Sequence, residues 1–475
     1  MGQPAARTLE RIRGEWPGES MPQVDTGHGL VGGQVDSAAI GSSDEVGLAV
    51  AVRSWVEQQL RPQGFALPLI KRISLVVVGL LRAESARRGD LILAIERLKV
   101  SSAQPESVGR RVARTLDDPR LDPERLLPYA LSRQLPILLA EVLLEHARSE
   151  SDPQHAQRFP LLRVVIDEST KLAEVHLLVA GLAYQGIVIP LAIRVWKQNS
   201  SLAPEDYRAH LASLLSSVEE ILPPVLRSHI LLLADRAYGR PDFIDLVDAL
   251  GWRYVIRLQG QTLIKCSDGA TAAARTFAPR KGSVWCSGFN PDSWPTAVAA
   301  FKKAGWRACQ FVAAWAPEAD EPWLLITNLP ATKERFLDYA SRWAIERTFL
   351  AWKSHGWDIE SLQTSSPSRL GRYLVAITLA TIWTLACAVA HTTKLIEDRL
   401  ARRQEARRAV VQLRLPFAEA DHRPWIGKFS LLTWGRHVLH QAACQVTSPP
   451  LCWSLPDWHA PVWSIHAQQL LATSP

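Results

Sequence analysis

The spacing of apolar side chains divides the chain into a helical first part and a mixed second part. In residues 46–150, apolar positions recur at helical spacing, most clearly in Ile70–Leu81 and Leu91–Leu98. Breaks at Gly89-Asp90 and Gln104-Pro105 separate the helices. The pattern therefore predicts a bundle of short helices over this first part.

Beyond residue 155 the pattern changes to short apolar runs that alternate with helical stretches. Strands are predicted over Leu161–Ile166, Val175–Leu182, Gly186–Val195, Ile230–Ala234, Trp252–Leu258 and Trp323–Thr327. Helices are predicted over Pro204–Leu222, Asp242–Leu250 and Ala331–Ser354, with a long apolar helix from about Ser368. Such alternation is typical of an α/β fold.

Changes in composition predict the organisation of the chain into segments. Residues 1–45 are rich in Gly, Pro and Ser and are interpreted as a flexible N-terminal arm. The predicted segments that follow are a helical domain (46–150), an α/β core in two parts (155–259 and 321–415), a β-rich insertion between those parts (260–320) and an irregular C-terminal tail (416–475).

Basic side chains cluster in two stretches, although the net charge is only +7. Residues 71–114 carry ten basic and four acidic side chains, and residues 394–414 carry seven and three. Local basic stripes attract phosphate even on a chain that is nearly neutral. Solvated helix faces give the same pattern, so the charge favours a nucleic-acid partner without establishing one.

Cysteine spacing and hydropathy bear on the compartment. The six cysteines form no C-x-x-C pair, which indicates neither a zinc site nor a disulfide framework and favours a cytoplasmic protein. The first residues contain no apolar segment typical of a secretory signal. Tyr373–His391 lacks Asp, Glu, Lys and Arg and is nearly long enough to span a bilayer. We interpret it as a buried helix, with a membrane helix as the alternative.

Two of the predicted strands end in an aspartate. Asp167 follows Leu161–Ile166, and Asp235 follows Ile230–Ala234. Neighbouring strands of one sheet would bring these carboxylates together, and two carboxylates can bind a hard cation such as Mg²⁺. The alternative is that each aspartate caps a turn or the helix after it.

One face of the predicted helix Ala331–Ser354 carries four polar side chains. They lie at offsets 0, 3, 7 and 14, within an arc of about 60°, and are Tyr339, Arg342, Glu346 and Lys353. An exposed Arg342–Glu346 pair would explain two of them. Phosphodiester cleavage by two metal ions explains the whole set, because it needs a third carboxylate and cations that grip phosphate.

These residues resemble the signature of the bacterial DDE transposases of the insertion sequence 4 family. The helix matches that family's Y-x2-R-x3-E-x6-K pattern without a gap. Val165–Thr170 (VIDEST) and Leu233–Gly239 (LADRAYG) resemble its two aspartate strands. The likeness covers roughly residues 65–440 in the order of their elements.

The resemblance implies an RNase H-like catalytic core with a β-rich insertion, preceded by a helical DNA-binding domain. It implies that Asp167, Asp235 and Glu346 are catalytic and bind two Mg²⁺ ions, for which Mn²⁺ would substitute. The implied reaction is cut-and-paste transposition. A homodimer would bind terminal inverted repeats, cleave double-stranded DNA to leave 3′-hydroxyl groups and join these ends to target DNA.

The resemblance also implies contacts with DNA near the cut end. Tyr339, Arg342 and Lys353 would contact phosphate, and Trp323 would stack on a flipped base, which is a physically reasonable use of an aromatic ring. The alternative for Trp323 is that it begins a core strand. Trp285 is a weaker candidate for the same stacking role.

The helical region 65–150 would bind the terminal inverted repeat. The predicted contacts there are Arg110, Arg111 and Arg114, in the sequence GRRVAR. Three other classes of protein stay open. They are a domesticated, non-catalytic DNA-binding protein on the same fold, an RNase H-like nuclease without strand transfer, and a membrane protein built around Tyr373–His391.

Overall fold

The computed structural model describes most of the chain between Ser37 and Gln441. The described residues are 37–98, 104–131, 135, 139, 161–171, 174–184, 186–197, 202–286, 297–316, 319–353, 356–413 and 431–441. Residues 1–40 and 41–475 form two separate units, and the second holds every element below except the first four residues of helix α1. Predictions for residues 1–36, and for most of the C-terminal tail, fall outside the described residues.

The first part of the chain is helical. Its helices are α1 (Ser37–Leu60), α2 (Leu67–Ala83), α3 (Arg88–Arg97), α4 (Pro105–Leu116) and α5 (Pro123–Leu131). Two predicted boundaries are wrong. Helix α1 begins within the predicted arm 1–45. The predicted break at Gly89-Asp90 lies inside α3, and α2 ends instead at Glu84, whose left-handed φ of 48° stops the helix.

An eight-stranded sheet forms the centre of the second part. Its strands, in spatial order, are β3 (Ile187–Lys197), β2 (Val175–Tyr184), β1 (Leu162–Lys171), β4 (Ile230–Ala234), β5 (Arg253–Arg257), β12 (Trp323–Thr327), β11 (Gln310–Trp315) and β8 (Ser283–Cys286). Strands β1, β4 and β5 run parallel to one another, and the remaining neighbours pair antiparallel. The mixed α/β fold with a helical N-terminal region is therefore confirmed.

The residues of the predicted β-rich insertion divide between two sheets. Strands β8 and β11 extend the central sheet. A separate four-stranded sheet contains β10 (Arg307–Ala308), β9 (Ala297–Ala300), β6 (Leu263–Cys266) and β7 (Thr271–Ala273). The short apolar pieces in 260–320 therefore have two destinations, which their pattern does not distinguish.

Strand β1 does not end at Asp167, which corrects the prediction from its apolar run. It continues to Lys171, because β2 supplies an antiparallel partner for every residue from Val164 onward. Asp167 pairs with Val179 inside this ladder. Strand β4, which is fully buried along its length, ends as predicted directly before Asp235.

The predicted helix Ala331–Ser354 is two helices. Helix α8 (Glu334–Ala340) ends before a turn at Ser341 and Arg342, and helix α9 (Trp343–Lys353) follows. The remaining helices of the core are α6 (Pro204–Ile221), which precedes β4, and α7 (Pro241–Ala249), which precedes β5. The turn places Arg342 between two helices and not within one.

Helix α10 (Pro367–Leu413) passes through the hydrophobic core. Its segment Pro367–His391 is long and apolar enough to cross a membrane by length and composition, but 94% of its most apolar window is buried inside the protein. Three buried threonines on it donate hydroxyl hydrogen bonds to carbonyls one turn earlier. Helix α11 (Leu431–Gln441) packs on α10 and corrects the prediction of a wholly irregular tail.

Candidate active site

The two predicted aspartates lie side by side in the centre of the sheet. Strands β1 and β4 are parallel neighbours, with Ile166 paired to Ala234, so Asp167 and Asp235 follow at the same level. Asp235 accepts a hydrogen bond from the Arg236 backbone N–H at 2.6 Å, which begins a short 3-10 turn. The capping alternative thus describes Asp235 in part, but Asp167 lies within a strand.

Arg342 connects Asp167 with Glu346. Its guanidinium donates to Oδ2 of Asp167 at 3.1 Å and also donates to Oε1 of Glu346. The Arg342 side chain is nearly buried, with 8% of the residue exposed. Glu346 lies in the first turn of α9. The turn between α8 and α9 therefore brings one cation between carboxylates from β1 and from the helix.

The electrostatics of Asp167 reflect all three carboxylates. Burial raises the pKa of Asp167 to about 7, with further increases from the charges of Asp235 and Glu346, while Arg342 and the Glu168 backbone N–H act in the opposite direction. The carboxyl groups are therefore close enough to repel one another. A cation among them would offset both the repulsion and the cost of burial.

The donor set fits a divalent metal in its chemistry, although it does not form a ready-made cage. Carboxylate oxygens are the ligands that Mg²⁺ prefers. Across the described residues, no three His, Cys, Asp or Glu side chains are grouped so that they could hold a metal ion as they stand. Arg342 pairs with two of the three carboxylates instead. The metal ligation by Asp167, Asp235 and Glu346 stays a prediction.

Tyr339 and Lys353 occupy different surroundings. Tyr339 lies in the last turn of α8 and is 2% exposed, and the guanidinium of Arg342 lies over its ring at 5.6 Å. Its buried hydroxyl has no hydrogen-bond partner within the described residues. Lys353 ends α9, and its Nζ lies 3.7 Å from Oε1 of Glu360. Their predicted contacts with phosphate are untested.

Trp323 begins strand β12, as its alternative interpretation predicts. Its ring packs against Phe336 at a centroid distance of 4.8 Å and against Tyr339 at 4.9 Å. The residue is only half-buried, so part of its surface stays exposed. Trp285 lies in β8 opposite Ala313, and its side chain falls outside the described residues.

The three predicted DNA-binding arginines lie on the outer face of α4. Arg110, Arg111 and Arg114 are exposed, while Val108 and Val112 point into the core. The second basic cluster, 394–414, lies largely on the C-terminal part of α10, where most side chains fall outside the described residues.

Sequence reasoning missed a polar cluster beside Asp167. Glu168 contacts Nδ1 of His176 and accepts a hydrogen bond from the Tyr207 hydroxyl at 3.1 Å. The His176 ring stacks on Trp196 at 5.3 Å. The sequence signal for this cluster is the acidic pair Asp167-Glu168. Successive residues of a strand point to opposite faces of the sheet, so Glu168 places a second carboxylate on the face away from Asp167.

A second missed group anchors helix α8 to the sheet. Asp338 is 4% exposed and accepts hydrogen bonds from Arg163 on β1 at 3.1 and 2.7 Å. Arg335 pairs with its other oxygen at 3.2 Å. Asp338 directly precedes Tyr339, but nothing in the local sequence indicates that it is buried.

Comparison with known protein families gives one match. Residues 207–383 match a family model described as a transposase DDE domain. The matched segment contains Asp235 and Glu346 but begins after Asp167. A comparison with curated proteins found no match. The family match, with the mixed α/β fold, supports a DDE transposase, a class of DNA-cleaving enzyme that generally uses divalent metal ions.

Proposed function

We propose that this protein is a cut-and-paste DNA transposase of the insertion sequence 4 type. It cleaves phosphodiester bonds with two divalent ions held by Asp167, Asp235 and Glu346, and it joins the resulting 3′ ends to target DNA. The single observation that carries the proposal is the arrangement of these carboxylates. The register of β1 and β4 sets two of them side by side, and Arg342 connects Asp167 to Glu346.

The strand order supports an RNase H-like core. An antiparallel hairpin, β2 and β3, lies beside β1, and the parallel strands β4 and β5 follow on the other side. This order sets the two strands that carry aspartates in the middle of the sheet. Asp167 is thereby fixed within the ladder of β1 and β2, and Asp235 follows directly after the buried strand β4, which suits a site that must hold charge in a defined position.

Each side chain has a role that follows from its position. The carboxylates would hold the ions, which when bound would activate the attacking water and stabilise the leaving oxygen. Arg342 holds Asp167 and Glu346 at a fixed spacing. The ring of Tyr339 supports the guanidinium of Arg342, which lies over it. We expect Mg²⁺ as the ion, with Mn²⁺ able to substitute, because carboxylates suit both cations.

Replacement of Glu346 tests the proposal directly. Purified protein is incubated with Mg²⁺ and with DNA that carries its own flanking inverted repeats, and products are read on a denaturing gel. We expect Glu346→Gln to lower cleavage by more than about 100-fold, since losing even an outer-shell partner of a metal site costs about 10- to 100-fold. DNA binding in a gel-shift assay should be nearly unchanged, because a metal ligand is not a docking surface.

Glu334→Gln is the matched control, because Glu334 is an exposed glutamate on the preceding helix. It should cleave like the wild type. If Glu346→Gln cleaved at the wild-type rate, the assignment of the active site would be wrong. Cleavage without joining would identify a nuclease, and specific binding without cleavage would identify a non-catalytic DNA-binding protein. The assembly of two protomers on paired ends belongs to the same proposal, and sedimentation of the DNA complex measures it.

A further inference from the structure

Arg347 is a partly buried cation whose contact lies away from the carboxylates. It directly follows Glu346 in α9, and its Nε donates to the Gly186 carbonyl at 2.8 Å while Nη2 donates to the same oxygen. No carboxylate pairs with Arg347 among the residues that the structure describes. Burial lowers the pKa of Arg347 to about 10. Burying a charged guanidinium is costly unless it is paired, so its use to bond a single backbone carbonyl indicates a role for this contact.

Thr348 makes a second contact with the same part of the sheet. It is fully buried, and its Oγ1 accepts a hydrogen bond from the Val188 backbone N–H at 2.8 Å. The same hydroxyl donates to the Ala344 carbonyl at 2.9 Å. Gly186 and Val188 flank the start of β3, the edge strand of the sheet. Two consecutive residues of α9 are therefore bonded to the backbone around the β2–β3 turn.

The turn has the shape that this contact requires. Gly186 has a φ of +78°, which favours glycine. A Cβ atom at Gly186 would collide with the guanidinium of Arg347. Both the backbone conformation and the absence of a side chain thus leave room for Arg347 at this carbonyl.

The position of Glu346 depends on contacts of this kind. Helix α9 has 11 residues and follows a break at Ser341 and Arg342, so α8 does not fix its placement by helical continuity. Arg342 precedes Glu346 in the chain and pairs with Asp167 on the sheet. Arg347 and Thr348 follow Glu346 and bond to the backbone around the β2–β3 turn. The carboxylate of Glu346 lies between these attachments along the chain.

We propose that Arg347 and Thr348 are positioning residues that dock α9 on the β2–β3 turn and thereby set Glu346 at its distance from Asp167 and Asp235. The inference rests on the proposed metal-dependent cleavage. It concerns how the third carboxylate reaches the other two, and neither residue needs to touch metal or DNA. Removing either contact should therefore lower the affinity for metal more than it lowers the stability of the folded protein.

The test compares Arg347→Met and Thr348→Val with Arg194→Met. Arg194 is a suitable control because it is a buried arginine in β3 that bonds to Glu124, Ser213 and Ser217, away from α9. Two quantities are measured for each full-length variant. They are the Mn²⁺ concentration for half-maximal cleavage, and the Mn²⁺ concentration for half of the maximal rise in unfolding temperature without DNA.

We expect both Mn²⁺ concentrations to rise by about 10- to 100-fold in Arg347→Met and Thr348→Val, as is typical when outer-shell support of a metal site is lost. Saturating Mn²⁺ should restore much of the cleavage rate. Arg194→Met should lower the unfolding temperature and leave both concentrations near the wild-type value. Thr348→Ser retains the hydroxyl and should behave like the wild type.

A double-mutant cycle isolates the contact at the turn. Gly186→Ala should raise the same Mn²⁺ concentrations, and the double variant with Arg347→Met should show less than the combined effect of the two single changes, because both disrupt one contact and only the strain of a side chain at φ +78° is added. Arg347→Lys replaces Arg347→Met if that variant fails to fold, and it should then show an intermediate shift. Mn²⁺ requirements that match those of Arg194→Met, in the presence of an active wild type, would overturn this inference alone. A wild-type protein that neither cleaves nor responds to Mn²⁺ would overturn the proposed function as well.

Discussion

Trp323 has two roles open to it at the scale of a single residue. One side of its ring packs against Phe336 and Tyr339, and Tyr339 lies against Arg342 of the candidate active site. The ring is only half-buried, so part of its surface faces outward. A residue in this position can support the site from within and still offer an aromatic face to a base.

Replacing Trp323 by alanine should separate these roles. If cleavage proceeds through a DNA hairpin at the transposon end and a flipped base stacks on Trp323, Trp323→Ala should slow formation of that hairpin more than first-strand nicking. Stacking contributes about 1–3 kcal/mol, which corresponds to a selective loss of about 5- to 150-fold. Both products are resolved on one denaturing gel over a time course.

Phe336→Leu is the matched control, because it loosens the same packing and leaves the tryptophan in place. It should slow both steps to a similar extent, and Trp323→Phe should retain most of the hairpin rate. Equal losses at both steps in Trp323→Ala would assign Trp323 a packing role only.

At the scale of elements, the sequence predicts the ends of buried strands better than the length of helices. The five apolar residues Ile230–Ala234 predict β4 at its observed bounds, since a strand buried on both faces needs an unbroken apolar run. Strand β1 exceeds its apolar run, because its last residues are held by β2 and are only partly buried. Long-range pairing of this kind leaves no mark in local periodicity.

The four-residue signature on α8 and α9 illustrates the same limit. The spacing from Tyr339 to Lys353 suits one continuous helix, yet the chain turns at Ser341 and Arg342. The sequence still brings Arg342 and Glu346 into contact, because four residues span the turn and the first part of α9. The contacts of Arg347 and Thr348 with the β2–β3 turn join residues about 160 positions apart and could not be predicted.

The close packing of α11 on α10 predicts that a side chain at Gly435 would destabilise the protein. A Cβ atom at Gly435 would collide with the Thr384 carbonyl, so Gly435→Ala should lower the free energy of unfolding by about 1–3 kcal/mol, as overpacking typically does. Gly47→Ala is the control, because Gly47 lies in α1 with open space around it. That change should raise stability by up to about 1 kcal/mol through helix propensity. Urea denaturation measures both, and an undiminished stability of Gly435→Ala would contradict the close contact.

At the scale of the whole molecule, one hydrophobic core joins the first helices to the sheet and to α10. Trp55 of α1 packs edge-on against Trp383 of α10 at 5.6 Å. The apolar stretch Tyr373–His391 has the composition of a membrane helix. Its described side chains are almost all buried in the core, which favours its interpretation as a core helix. Composition alone could not decide this, since a core helix and a membrane helix satisfy the same local pattern.

The outer face of α4 provides the test of how the molecule as a whole would meet DNA. Arg110, Arg111 and Arg114 are exposed on one short helix, whose other face is anchored in the core. If these side chains neutralise phosphates, replacing all three by glutamine should weaken binding to the transposon end. It should also flatten the salt dependence, since each phosphate contact contributes about 0.9 to the slope of log K against log salt concentration.

The control must remove the same charge elsewhere. Arg61, Lys302 and Lys303 are exposed, lie outside α4, and are replaced by glutamine together. Both triple variants lose three positive charges, so a general effect of net charge would change their binding equally. A contact surface on α4 predicts a slope lower by up to about 2.7 in the first variant and a slope near that of the wild type in the second. Equal slopes in the two variants would remove α4 from the interface and leave the second basic cluster, 394–414, as the next surface to test.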